Sequence, residues 1–137
     1  MANRISHEIA LLGLAAGVRK AKELNQRSTL SIVDDGGHLI ASVRVDDAAF
    51  GTIEIAHNKA YTAAAFRRST AAWMEAVQPG AALYGLERSC ARPFVVFGGG
   101  LPVFEGHSVI GGVGVSGGPV EADEAIASAI VSAIQEQ

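Results

Sequence analysis

The chain has 137 residues, 49% of them hydrophobic, and a formal net charge of −3, which supplies the apolar material for one compact core and predicts a single domain over 1–137. Its 11 Lys and Arg stand singly or in pairs, which excludes the basic stripe that a nucleic-acid partner requires. The apolar runs are broken by Gly or charge well before the roughly 20 residues of a bilayer span, so no membrane is expected. The N-terminal stretch has a helical period and carries Glu8 and Glu23 without a small-residue cleavage site, unlike a signal peptide. The lone Cys90 cannot close an internal disulfide and fits a reducing compartment. The chain therefore reads as soluble and cytoplasmic.

From Ser6 to about Leu24, Ile9, Leu12, Ala16 and Ala21, with Leu11, Leu14 and Val18, recur at helical spacing behind Ser6 as N-cap. Two β-rich runs follow, Thr29 to Val33 and His38 to Val45, separated by Asp34-Asp35-Gly36-Gly37, a hairpin signal. After Asp46-Asp47, "TIEIAHNKAYTAAAFRRS" predicts a second helix, rich in Ala and good helix formers. A short helix is expected from Thr70 to Val77, stopped by Gln78-Pro79-Gly80, and residues 81–92 are ambiguous. Three extended runs, Phe94 to Phe97, Leu101 to Phe104 and Ser108 to Val115, predict an antiparallel meander. Residues Glu121 to Gln135 predict a last helix, with Pro119 near its start and an acidic first turn that complements the helix dipole. The order α-β-β-α-α-β-β-β-α favours an α+β fold, a five-stranded antiparallel sheet covered by helices.

Gly112-Val113-Gly114-Val115-Ser116-Gly117 spells G-x-G-x-x-G, the dinucleotide-binding pattern. That pattern functions inside a βαβ unit, and here only residues 118–137 remain, all taken by the last helix, so no dinucleotide is expected. Gly114 to Gly118 also matches the G-x-S-x-G nucleophile elbow, but no histidine follows Ser116. Ser116-Gly117-Gly118 leads into a helix N-terminus, where free N–H groups could hold a carboxylate or phosphate, or serve ordinary capping.

No Cys-x-x-Cys or His-Glu-x-x-His occurs among the four histidines and one cysteine. Glu54 and His57 stand at i, i+3 without the second copy that a carboxylate-bridged metal site needs. His7 and His57 are candidate axial ligands to a heme iron, with a hydrogen-bonded or surface histidine as the plain alternative. Cys90 between Arg88 and Arg92 could be a thiolate or a small buried hydrophobe. Lys59 and Thr62, in a helix otherwise lined by Ala, could project into a pocket, and Arg67-Arg68 could hold an anionic ligand bidentately.

Taken together, "LSIVDDGGHLIASVRVDDA", "HNKAYTAAAF", "GGGLPVFEGHSVIGGVGVSGG" and "EADEAIASAI" resemble the GlcG/HbpS-like family of small heme-binding and accessory proteins, which includes the C-terminal domain of PduO-type corrinoid adenosyltransferases. The resemblance implies a profilin-like α/β/α sandwich, homo-oligomers often built from dimers, and in some members heme or iron binding. Lys59, Thr62, Gly99, Gly114, Ser116, Gly117 and Asp123 match the family pattern. Glu105-Gly106-His107 departs from the more usual Asp-Gly turn, and no long secretory extension is seen. The leading expectation is a cytoplasmic small-molecule-binding protein with heme as ligand and His7 or His57 at the iron. Gly99, Gly114, Ser116, Gly117 and Arg67 are its expected ligand-binding residues. The alternative is an enzyme acting on a small anionic metabolite, a hydroxy or keto acid, with Lys59 and Thr62 as catalytic groups beside the 116–118 turn. A third is an assembly partner of a catabolic enzyme.

Overall fold

In the computed structural model, which describes residues 4–92 and 94–137, the first helix starts where its cap places it. The Ser6 side chain accepts the Ile9 N–H at 3.1 Å, and helix α1 runs His7–Glu23, satisfying one of the free donors of its first turn. Strands β1 (Thr29–Asp34) and β2 (Leu39–Arg44) pair antiparallel. The turn between them is made by Asp34, whose Oδ1 accepts the N–H groups of Gly36 and His38, both at 2.9 Å, the Asx geometry that aspartate favours. Helix α2 (Gly51–Phe66) follows, then 3-10 turns at Thr70–Trp73 and Leu86–Arg88, strands β3 (Gly100–Glu105) and β4 (Ser108–Ser116), and helix α3 (Val120–Gln135).

The sheet has four strands in the order β2-β1-β4-β3, every neighbouring pair antiparallel. Period-two alternation sends Leu30, Ile32, Val113, Val115 and Val103 to one face, where they join Leu14 of α1 and Ile126 and Ile130 of α3 in the main core. Each such side chain contributes on the order of 1.5–3 kcal/mol on burial. The other face is built from Thr29, Ser31, Val33, Gly112 and Gly114, and α2 lies on it through Ala56, Ala60 and Ala64. Small residues on both sides are required here: a Cβ at Gly114 would stand 2.5 Å from the Ala60 nitrogen and closer still to the Ala56 carbonyl. The glycines of the G-x-G-x-x-G pattern thus sit within a strand under a helix, not at a strand-to-helix turn.

Two expected elements differ. Residues Phe94 to Phe97, expected as a strand, join no sheet: the Val95 N–H donates instead to Thr62 Oγ1 at 3.0 Å. Phe94 packs tilted against Phe66 and edge-to-face against Trp73, with ring centroids 4.7 and 5.2 Å away. Its β-like composition reflects burial in this aromatic cluster, so the observed sheet has four strands where five were expected. The helix expected from Thr70 to Val77 is only the Thr70–Trp73 3-10 turn, started by Ser69, whose Oγ accepts the Ala71 N–H. No helix among the described residues is long and apolar enough to cross a membrane.

Candidate functional site

The close seating of α2 carries Lys59, a long cation in an Ala-rich helix, past the end of β4. There its Nζ donates to the Val115 carbonyl at 2.8 Å and to Asp123 Oδ2 at 3.2 Å, and lies 5.0 Å from the Phe97 ring centroid. Lys59 is 1% exposed and Asp123 2% exposed. Gly99 completes the enclosure, since a Cβ there would meet Lys59 Nζ at 2.5 Å. Burial pushes the Lys59 ammonium below its usual range, against the pull of Asp123 and Glu124. Burial likewise raises the Asp123 carboxyl, against Lys59 and the N–H groups of Gly118 and Gly117.

The same carboxylate explains the Ser116-Gly117-Gly118 turn. Asp123, in the first turn of α3, reaches back so that its Oδ1 accepts the Gly118 N–H at 3.1 Å. The N–H groups singled out as a seat for a carboxylate therefore hold the chain's own. Lys59, Gly99, Gly114, Ser116, Gly117 and Asp123 are thus brought together, as a staple joining α2 to α3 around the end of the sheet. Thr62, one turn on, is buried and donates to the Asn58 carbonyl at 2.7 Å while accepting from Val95. Both groups expected to be catalytic are engaged inside the fold, and chemistry through Lys59 would require opening its ion pair. Asp123 as the partner of Lys59 was not anticipated; it is one of three acids at the start of α3, with Glu121 and Glu124, and the lone lysine among the Ala of α2 was the one signal that pointed to a buried charge.

The remaining candidates lie elsewhere. His57, half-buried on α2, has its Nε2 covered and without a hydrogen-bond partner. Burial holds its imidazole below the usual histidine range, and Arg92 adds to this while the Gly37 carbonyl opposes it. Arg92 stacks 4.0 Å from the Tyr61 ring centroid and donates from Nε to Asn58 Oδ1 at 3.2 Å. Arg67 is exposed at the C-terminal end of α2. His7 is exposed at the start of α1. It heads a stripe that the sequence pattern concealed: Leu11, Ala15 and Val18, at helical spacing from it, face solvent, with Leu11 57% and Val18 37% exposed and Leu12 beside them at 52%. Among the described residues no group of three or more His, Cys, Asp or Glu could hold a metal ion. Single imidazoles remain as donors, His7 at the head of the apolar stripe and His57 with its covered Nε2.

A family model described as "Haem degrading protein HbpS-like" matches residues 5–132. An uncharacterised 15.0 kDa protein of the dhaT-dhaS intergenic region of Citrobacter freundii is 44% identical over 96% of this chain and 97% of its own length. Among solved structures, Klebsiella pneumoniae protein ORFY superposes with a TM-score of 0.95 at 37% identity, over 100% of this chain and 95% of that one. The crystal structure of a PduOC:heme complex superposes with a TM-score of 0.91 at 38% identity, over 96% of this chain and 95% of that one.

Proposed function

This chain belongs to the HbpS-like family, and on that premise we propose that it is a small heme-binding protein whose iron contact is His7. The observation that carries the reading is the exposed stripe of α1: an accessible imidazole stands at the head of Leu11, Ala15 and Val18. A flat apolar macrocycle needs apolar cover for one face and a neutral imidazole for its metal. The likeness to the PduOC:heme complex over nearly the whole chain supports the same ligand. Bound there, heme would supply an iron centre with a further coordination position. The chain's own part would be to hold it: a ring nitrogen of His7 would donate its lone pair, and Leu11 and Val18 would exclude water from one face of the ligand.

An apolar stripe of this kind is unusual on an isolated monomer surface, so the reading extends to a homo-oligomer in which a second copy covers what one copy leaves exposed. We place the protein in the cytoplasm, where an exposed lone thiol such as Cys90 stays reduced. A second iron contact, His57, is favoured by one observation, its covered Nε2 without a partner, since a buried polar atom left unsatisfied asks for an explanation. Hemin titration separates the two. A Soret shift lost in His7→Ala and kept in His57→Ala supports the α1 face; the reverse moves the iron to α2, and a flat titration of the wild type removes heme altogether.

A further inference from the structure

At the C-terminal end of α2, beside the β3–β4 turn, an open groove of about 430 Å³ is lined by Arg67, His107, Ser108 and Asp35 over a floor that includes Ala64 and Val109. We propose that this groove is a second ligand site, taking a compact carboxylate that carries a hydrogen-bond donor on its adjacent carbon. The argument starts with two consecutive arginines in different states. Arg68 lies 4.7 Å from the Trp73 ring centroid and is committed to it. Among the described residues the Arg67 guanidinium has no ion pair, hydrogen bond or ring contact, and Arg67 lines the groove.

Arg67 also occupies a conformation that suits it poorly. Its φ of 58° and ψ of 38° are left-handed, and its N–H closes α2 on the Ala63 carbonyl at 2.9 Å. Glycine or asparagine ordinarily takes that capping position because an L side chain is strained there. A cation that only complemented the helix dipole could stand one residue earlier or later without strain. The left-handed residue instead lies on the wall of the groove that His107 and Ser108 also line, and strained non-glycine residues of this kind cluster at ligand sites.

The lining chemistry selects the ligand. A guanidinium fork matches a carboxylate with two parallel hydrogen bonds. Asp35, also on the groove wall, repels a bare anion and accepts from a hydroxyl or ammonium, so a ligand bearing both groups satisfies both walls. Ser108 and His107 provide further polar contacts. The site is separate from α1 and does not depend on the heme reading.

The test is a ¹H–¹⁵N NMR titration of the full chain with lactate, alanine and propionate, three-carbon carboxylates that carry a hydroxyl, an ammonium and neither at the adjacent carbon. Lactate or alanine is expected to give saturable shifts at the Arg67, His107 and Ser108 amides with a Kd on the order of 1 mM, and propionate to bind about tenfold more weakly. Arg67→Gly should abolish the response while leaving the thermal midpoint unchanged or higher, because glycine adopts this backbone without strain. Arg67→Lys should weaken binding by about tenfold through loss of the fork. Absence of saturable shifts with all three compounds, or shifts that persist in Arg67→Gly, would overturn the proposal; equal binding of propionate would overturn its donor half.

Discussion

Replacing Asp123 by alanine should be among the most damaging single changes available in this fold, and its cost can be worked from the staple. The substitution takes the hydrogen-bonded carboxylate from a Lys59 ammonium that is 1% exposed, leaving it the Val115 carbonyl, the Phe97 ring and the weaker pull of Glu124. Removing one partner of a buried ion pair costs about 3–5 kcal/mol because the other charge stays desolvated. For a chain of this length each kcal/mol lowers the thermal midpoint by about 3 °C, so Asp123→Ala should melt on the order of 10–15 °C below the wild type. Lys59→Met combined with Asp123→Leu should recover most of that loss, since two apolar groups need no charge partner. The sign with pH follows from the same pair. In Asp123→Ala burial holds Lys59 below the unfolded value of about 10.4 without the opposing pull of Asp123, so the unfolded chain binds more protons between the two values. Stability of the variant should therefore rise as pH climbs towards 10. Urea unfolding followed by far-UV circular dichroism measures all of this. A loss below about 1 kcal/mol in Asp123→Ala, or no coupling in the double-mutant cycle, would refute the view that this pair holds the two helical layers together.

Gly114→Ala drives a methyl into the α2 backbone at Ala56 and Ala60 and should cost about 3 kcal/mol or more, read by the same unfolding curves. Gly51→Ala is its control: nothing lies within 4 Å of an added Cβ at the start of α2, and stability should hold or rise by up to about 1 kcal/mol. His57 is held neutral in the fold by burial, with Arg92 adding to this. Its depressed folded pKa means that stability falls as pH drops through the unfolded value of about 6.5, and His57→Gln should flatten that part of the stability–pH curve. Leu11→Lys with Val18→Lys alters only the outward face of α1, so the monomer should keep its circular dichroism spectrum while self-association, followed by light scattering, and hemin affinity both fall.

The helices and the first hairpin were legible because their signals are local. Ser6 caps within three residues, Asp34 hydrogen-bonds within four, and the apolar period of α1 and α3 spans each whole helix. The fifth strand was misread because an apolar run such as Phe94 to Phe97 has the composition of a strand whether its N–H groups enter a ladder or meet a helix side chain. Here Thr62 takes the one at Val95. The staple was half legible: Lys59 stood out against alanine, but its carboxylate lies 64 residues away on the far layer, beyond any local pattern. The 116–118 turn reads in sequence as a set of N–H donors at a helix start, and the fold shows that the Gly118 N–H is taken by Asp123. The exposed stripe of α1 was hidden for a different reason: Leu14 and Leu11 look alike in sequence, and only packing decides that one is 5% and the other 57% exposed.

Iron paramagnetism gives the most direct test of the central claim, because it broadens amide signals by distance without depending on a mutation. With ferric heme added to ¹⁵N-labelled protein, broadening should centre on the first half of α1, around His7, Leu11 and Ala15, and leave the Lys59–Asp123 staple sharp. Broadening centred on His57 and Tyr61 of α2, or a spectrum that hemin leaves unchanged, would contradict the account.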